Sequence, residues 1–138
     1  MKKLIYIILI IVAFSCQKKH ESNPIELKAI EGIYTLNAFI FGNNVEFVGY
    51  DVIFEFNNNK LDITSYNSLK YDYSVDDSLI WIRNGLVTLK YSCDSSIRRT
   101  ENYLHTYLAT IKRFEPTIDG VNLCDNNNTK ISLVSVCN

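Results

Sequence analysis

From about residue 30 onward the chain alternates apolar and polar positions in short runs separated by clusters of Asn, Asp and Gly. Alternation at period two places one side of a strand in a core and the other in water. Ile33 to Phe41 is the first such run, ended by Gly42-Asn43-Asn44. Val45 to Phe56 continues in extended form with a bend near Gly49. In its second half Val52, Phe54 and Phe56 form the buried parity against Asp51 and Glu55. Asn57-Asn58-Asn59 tolerates left-handed backbone and predicts a hairpin into Leu61 and Ile63. Tyr71, Tyr73 and Val75 predict another strand, Asp76-Asp77-Ser78 a turn, and Leu79 to Ile82 the next strand. Asn84-Gly85 lies between apolar runs and predicts a type I′ hairpin leading into a further strand from Leu86 to Cys93. Near the end, Val121–Cys124 and Thr129–Val136 flank Asp125 to Asn128 as a terminal hairpin.

The period changes once. Ile97, Leu104, Leu108 and Ile111 recur at helical spacing with Tyr103 and Tyr107 beside them, and Asp94, Ser95 or Ser96 can each cap the start. The spacing predicts one α-helix over about 95–108. Glu101 breaks its pattern, because steps of four and three from Ile97 through Glu101 to Leu104 place a carboxylate inside the apolar stripe. The sum is a mainly β (α+β) protein: a curled, barrel-like antiparallel sheet of about eight strands with one packed helix.

The first residues read differently. Lys2 and Lys3 precede an unbroken apolar run from Leu4 to Phe14, then Ser15-Cys16 and a return to polarity. That is the layout of a secretory signal. As a helix the run spans roughly 16 Å, about half of a ~30 Å hydrocarbon core. A cysteine directly after a small residue resembles the lipobox of bacterial lipoproteins, in which Cys16 becomes the lipidated N-terminus. The expected organisation is a signal peptide over 1–15, a lipidated start and polar tether over 16–29, and a β-rich domain over 30–138. The expected localisation is the bacterial cell envelope, lipid-anchored, at the outer membrane, and the first expected partner is the membrane itself. Removal of 1–15, with Lys2 and Lys3, leaves 123 residues and takes the formal charge from −1 to −3. One domain fits this length. The near-neutral balance provides no basic footprint for nucleic acid.

Three cysteines remain beyond Cys16: Cys93, Cys124 and Cys137. An odd number outside the cytoplasm allows one disulfide and one thiol within a monomer, with three pairings open. The spacing of Cys and His matches no zinc, haem or iron–sulfur motif, and no cofactor is expected. Cys93 stands at the expected helix N-terminus, where a thiolate is favoured, but with no second cysteine at CxxC spacing. Glu101 in an apolar site is prepared either for general-acid chemistry or for holding the helix to the sheet through bonds from strand N–H groups or a tyrosine hydroxyl. His105 falls on the polar helical face, too isolated for a triad or a metal site. The aromatic content of nine Tyr, seven Phe and Trp81 suits a filled small barrel. It also suits a lipocalin-like barrel with a small apolar ligand near Trp81, Tyr71 and Tyr73.

The order of elements resembles the META domain family of HslJ-like bacterial envelope proteins. Glu31-Gly32-Ile33-Tyr34-Thr35-Leu36 is similar to the family's opening Gly-x-Trp-x-Leu strand, with Tyr34 in the aromatic place. Val52 to Asn57 resembles its Thr-Phe-Asp strand and turn, and Tyr73 to Leu79 its Tyr-x-x-x-Gly-x-x-Leu hairpin. Leu89-Lys90-Tyr91-Ser92-Cys93 resembles the Thr-Lys-Met-Ala-Cys segment, and Glu101-Asn102-Tyr103-Leu104 the helix that follows. Where the family has Gly-Cys-Asn this chain has Ser65-Tyr66-Asn67, keeping only Asn67. The resemblance implies a non-catalytic envelope domain that binds a protein partner or stabilises an assembly. It also implies that Cys124 or Cys137 replaces the lost cysteine as the partner of Cys93.

Overall fold

A computed structural model of the protein describes residues 30–88 and 90–136. The expected signal peptide and tether, Cys16, Leu89 and Cys137 lie outside the described residues.

The strands are β1 (Gly32–Phe41), β2 (Asn44–Phe47), β3 (Ile53–Asn57), β4 (Lys60–Thr64), β5 (Ser68–Asp76), β6 (Leu79–Val87), β7 (Arg113–Pro116), β8 (Gly120–Cys124) and β9 (Thr129–Ser135). Among the described residues one helix, α1 (Ser95–Leu108), stands between β6 and β7. All pairings are antiparallel. The sheet runs β2-β1-β3-β4-β5-β6-β7-β8-β9 and closes through β1–β9. β1 pairs with β3 over its first half and with β2 over its second, so eight strands form a closed barrel and β2 is an extra flap. The expected fold class is the observed one.

Turn chemistry explains most of this connectivity. Asn58 (φ 49°), Asn59 (φ 62°), Asp77 (φ 59°) and Asn128 (φ 61°) take the left-handed backbone of their turns, which short polar side chains tolerate. Phe54 and Phe56 of β3, Leu61 and Ile63 of β4, and Ile131 and Leu133 of β9 point inward and are fully buried. A bulge between Leu36 and Ala38 resets the parity of β1, so Tyr34 and Leu36 below it and Phe39 above it all reach the core.

The two mouths of the barrel are closed differently. At the lower end Ile30 is fully buried, and Tyr34, Phe56 and Tyr73 stack edge to face with centroids 5.9 Å and 5.2 Å apart. At the upper end α1 lies across the opening. Leu104 and Leu108 join the core, while Tyr103 and Tyr107 pack on Phe39 and Phe41 with centroids 5.1–5.2 Å apart. Each fully buried leucine contributes about 2 kcal/mol of transfer free energy. Asp94 is the N-cap, its Oδ1 accepting from the Ser96 N–H at 2.7 Å and the Ile97 N–H at 3.4 Å. His105 is exposed.

One expectation is corrected. Asn84-Gly85 is not a hairpin, and Leu86 to Cys93 is not a separate strand. Leu79–Val87 is a single strand in which Asn84 and Gly85 together oppose Tyr71, between the pairs Asp72↔Arg83 and Lys70↔Leu86. Asn84 has the positive φ (56°) that the dipeptide signals, spent here on a bulge. Gly85 is required for a second reason: a Cβ there would lie 2.4 Å from Cε1 of Tyr71, whose ring occupies that space. Gly85→Ala should therefore destabilise the protein by about 1–3 kcal/mol, read by urea denaturation. In a Tyr71→Ala background the same substitution should cost under about 0.5 kcal/mol; an undiminished cost would show that the ring is not the obstacle.

Candidate functional site

The carboxylate that interrupts the helical stripe is the centre of a polar cluster at the upper mouth. Glu101 is only 9% exposed. Its Oε1 accepts from the Asn67 backbone N–H at 2.8 Å and the Ser65 hydroxyl at 3.2 Å, and its Oε2 from Asn67 Nδ2 at 2.5 Å. The Asn67 amide faces the other way as well, donating to the Lys90 carbonyl at 3.2 Å and accepting from the Lys90 N–H at 2.5 Å. Tyr50 reaches the cluster only through Ser65, at 3.4 Å between hydroxyls. The helix, the β4–β5 turn and the link from β6 to the helix thus share one hydrogen-bonded clasp. Among the described residues no buried side-chain polar atom lacks a partner. A carboxylate holding three donors from one turn fastens the helix to that turn.

The expected backbone N–H donor is present, although it comes from a turn rather than a strand. Among the described residues no tyrosine hydroxyl bonds Glu101 directly. Glu101→Ala should destabilise the fold by about 2–4 kcal/mol, because it leaves the Asn67 N–H and amide buried without an acceptor. Asn67→Ala should cost a similar amount. A double-mutant cycle in urea should give a coupling above about 1 kcal/mol, and additive losses would show that the two residues act separately.

Cys93 and Cys124 do not pair. Cys93 is a free exposed thiol just before the helix cap, and Cys124 a free buried thiol at the end of β8. They form no disulfide with each other, and the pairings through Cys137 fall outside the described residues. Burial pushes the Cys124 thiol up to about 11, helped by the negative charge of Glu115. At pH 8 iodoacetamide should label Cys93 readily and Cys124 at least about 100-fold more slowly until denaturant is added, since only the thiolate reacts. Peptide mapping reads both sites. Equal rates would contradict the burial, and labelling of Cys93 only after reduction would place it in a disulfide.

The three residues expected around an apolar ligand diverge. Tyr73 points inward against Phe56. Trp81 alternates with the inward Ile80 and Ile82 and lies half-buried on the other face of β6. Tyr71 sits at the bulge over Gly85. The interior they were expected to line is occupied by Leu36, Phe39, Phe54, Phe56, Leu61, Ile63 and Leu69.

An open surface depression of about 490 Å³ lies instead at β4–β5–β6, lined by Lys60, Asp62, Lys70, Asp72, Asn84, Leu86 and part of Tyr71. The register sets Lys60 directly opposite Asp72, and Asp62 directly opposite Lys70. Lys60 Nζ bonds Asp72 Oδ1, Asn84 Nδ2 bonds Asp72 Oδ2 at 2.8 Å, and Lys70 lies 3.9 Å from Asp62. The Lys60 ammonium, then the Asn84 amide, hold the Asp72 carboxyl below its ordinary value. The signal was present as two Lys-x-Asp steps, 60–62 and 70–72, on one parity of predicted strands. Their alignment requires the register, and the sequence reading missed it. No group of His, Cys, Asp and Glu suited to a metal occurs among the described residues.

No family model matches the chain, and no curated protein matches it. Two solved structures share its fold. One is the NMR structure of a protein from Burkholderia xenovorans, with a TM-score of 0.69 at 14% identity over 84% of this chain and 90% of that one. The other, also an NMR structure, has a TM-score of 0.57 at 10% identity over 76% and 88% of the two chains. At these identities the likeness is one of fold.

Proposed function

We propose that the protein is a membrane-anchored lipoprotein of the bacterial cell envelope, with Cys16 as the acylated residue and residues 30–138 as a META-like, non-catalytic domain. The observation that carries this reading is the order of the first sixteen residues: Lys2-Lys3, the apolar run Leu4–Phe14, then Ser15-Cys16. The barrel with a helix across one mouth supports the family resemblance. So does the fastening of Asn67 to Glu101, two positions on which that resemblance was drawn. The domain's role is to engage a protein partner or stabilise an envelope assembly, at the outer membrane. A lipocalin-like carrier of a small apolar ligand is supported less well, because Phe39, Phe54 and Phe56 fill the space such a ligand would take.

Cys16→Ser should move the protein from the membrane fraction to the soluble fraction and abolish incorporation of a palmitate analogue. Two acyl chains anchor stably where none or one does not. Retention of the variant in the membrane fraction would overturn the lipoprotein reading.

A further inference from the structure

The outer depression of β4–β5–β6 combines features that a merely solvated strand face does not require. Asp72 accepts at both oxygens, from Lys60 and Asn84, and each oxygen keeps a further lone pair. Lys70 and Asp62 stand farther apart, at 3.9 Å, so both retain hydrogen-bonding capacity toward a third group. Two ammonium and two carboxylate groups cancel, leaving the depression without net charge and poorly suited to an ion. Leu86, 72% exposed, and the half-buried ring of Tyr71, which also packs against the core, complete the lining. Tyr71 is held in place because Gly85 has no Cβ to displace its ring. The volume falls within the ~300–1,000 Å³ of small-ligand sites.

Acceptors and donors of both signs a few ångströms apart, around a small apolar platform, match a molecule that alternates hydroxyl groups with C–H faces. We propose that this outer face binds a neutral carbohydrate, its hydroxyls donating to Asp72 and Asp62 and accepting from Lys70 and Asn84, with a ring face on Tyr71 and Leu86. The geometry assigns the ligand by class, a neutral oligosaccharide. The site is formed by the barrel wall, so it is independent of whether Cys16 is acylated.

The test is a ¹H–¹⁵N NMR titration of the full chain in dodecylphosphocholine, a detergent without sugar. The probes are maltotetraose, cellotetraose and tetra-N-acetylchitotetraose, with tetraalanine as a peptide control. At least one tetrasaccharide should give saturable shifts at the amides of Tyr71, Asp72, Asn84 and Leu86, with a Kd of about 1 mM or tighter. Asp72→Ala and Leu86→Ala, both at the surface, should each weaken binding about tenfold or more while leaving distant amides in place. The proposal is overturned if no tetrasaccharide gives saturable shifts up to about 20 mM, or if the shifts fall elsewhere. It is equally overturned if both variants bind as the parent does, or if tetraalanine and no sugar moves these amides.

Discussion

The structure depends on a carboxylate buried where an apolar side chain would ordinarily go. Glu101 faces the mouth of a hydrophobic barrel, and an ion without partners there is unfavourable by several kcal/mol. Its three donors all come from one short turn, Ser65 to Asn67. The requirement is therefore geometric as well as energetic: the helix can sit only where that turn reaches it. Asn67 extends the constraint by exchanging two bonds with Lys90, on the segment that delivers the chain into the helix. Apolar contacts of Leu104, Leu108 and the tyrosines supply most of the helix's adhesion, but they are tolerant of sliding. The clasp fixes where it stops.

The thinnest part of the barrel lies two strands from that clasp. β6 and β7 pair only at Leu79↔Arg113, with hydrogen bonds from Ile80 to Lys112 (3.0 Å) and from Phe114 to Ser78 (2.9 Å). The helix is inserted between these two strands in sequence. A long insertion across a weak ladder would loosen closure unless its far end were tied down. The clasp ties it to the β4–β5 turn, two strands away from the seam, so closure does not rest on the β6–β7 ladder alone. Beyond Ile80 the β6 edge carries Arg83 and the Asn84-Gly85 bulge, both of which discourage pairing with a foreign strand.

What could be read in the sequence was local. The helix over 95–108 was legible because the period changes and Asp94 can cap it. The turns at Asn58-Asn59, Asp77 and Asn128 were legible because positive φ is a property of single residues. Asn84-Gly85 carried a true signal about φ and a false one about topology: a bulge and a type I′ turn need the same backbone, and only the pairing partner distinguishes them. Glu101 was recognisable as anomalous, yet its partners lie more than thirty residues away in a turn whose position no periodicity reveals. The Lys–Asp pairs of the outer face were invisible for the same reason, since Lys60↔Asp72 and Asp62↔Lys70 exist only once β4 and β5 are in register.

The filled interior moves the question of recognition to the outside. Small barrels either keep a cavity or fill it with their own side chains, and three fully buried phenylalanines place this one among the filled. Exposed apolar residues such as Phe47, Tyr91 and Ile118 are dispersed over the flap, the helix approach and a lower turn, and lone surface apolar groups are ordinary. The outer face of β4–β5–β6 differs in that its polar groups meet in pairs. Asp72 is gripped from two sides, the charge pairs are set by backbone register, and the Tyr71 ring rests where glycine alone makes room.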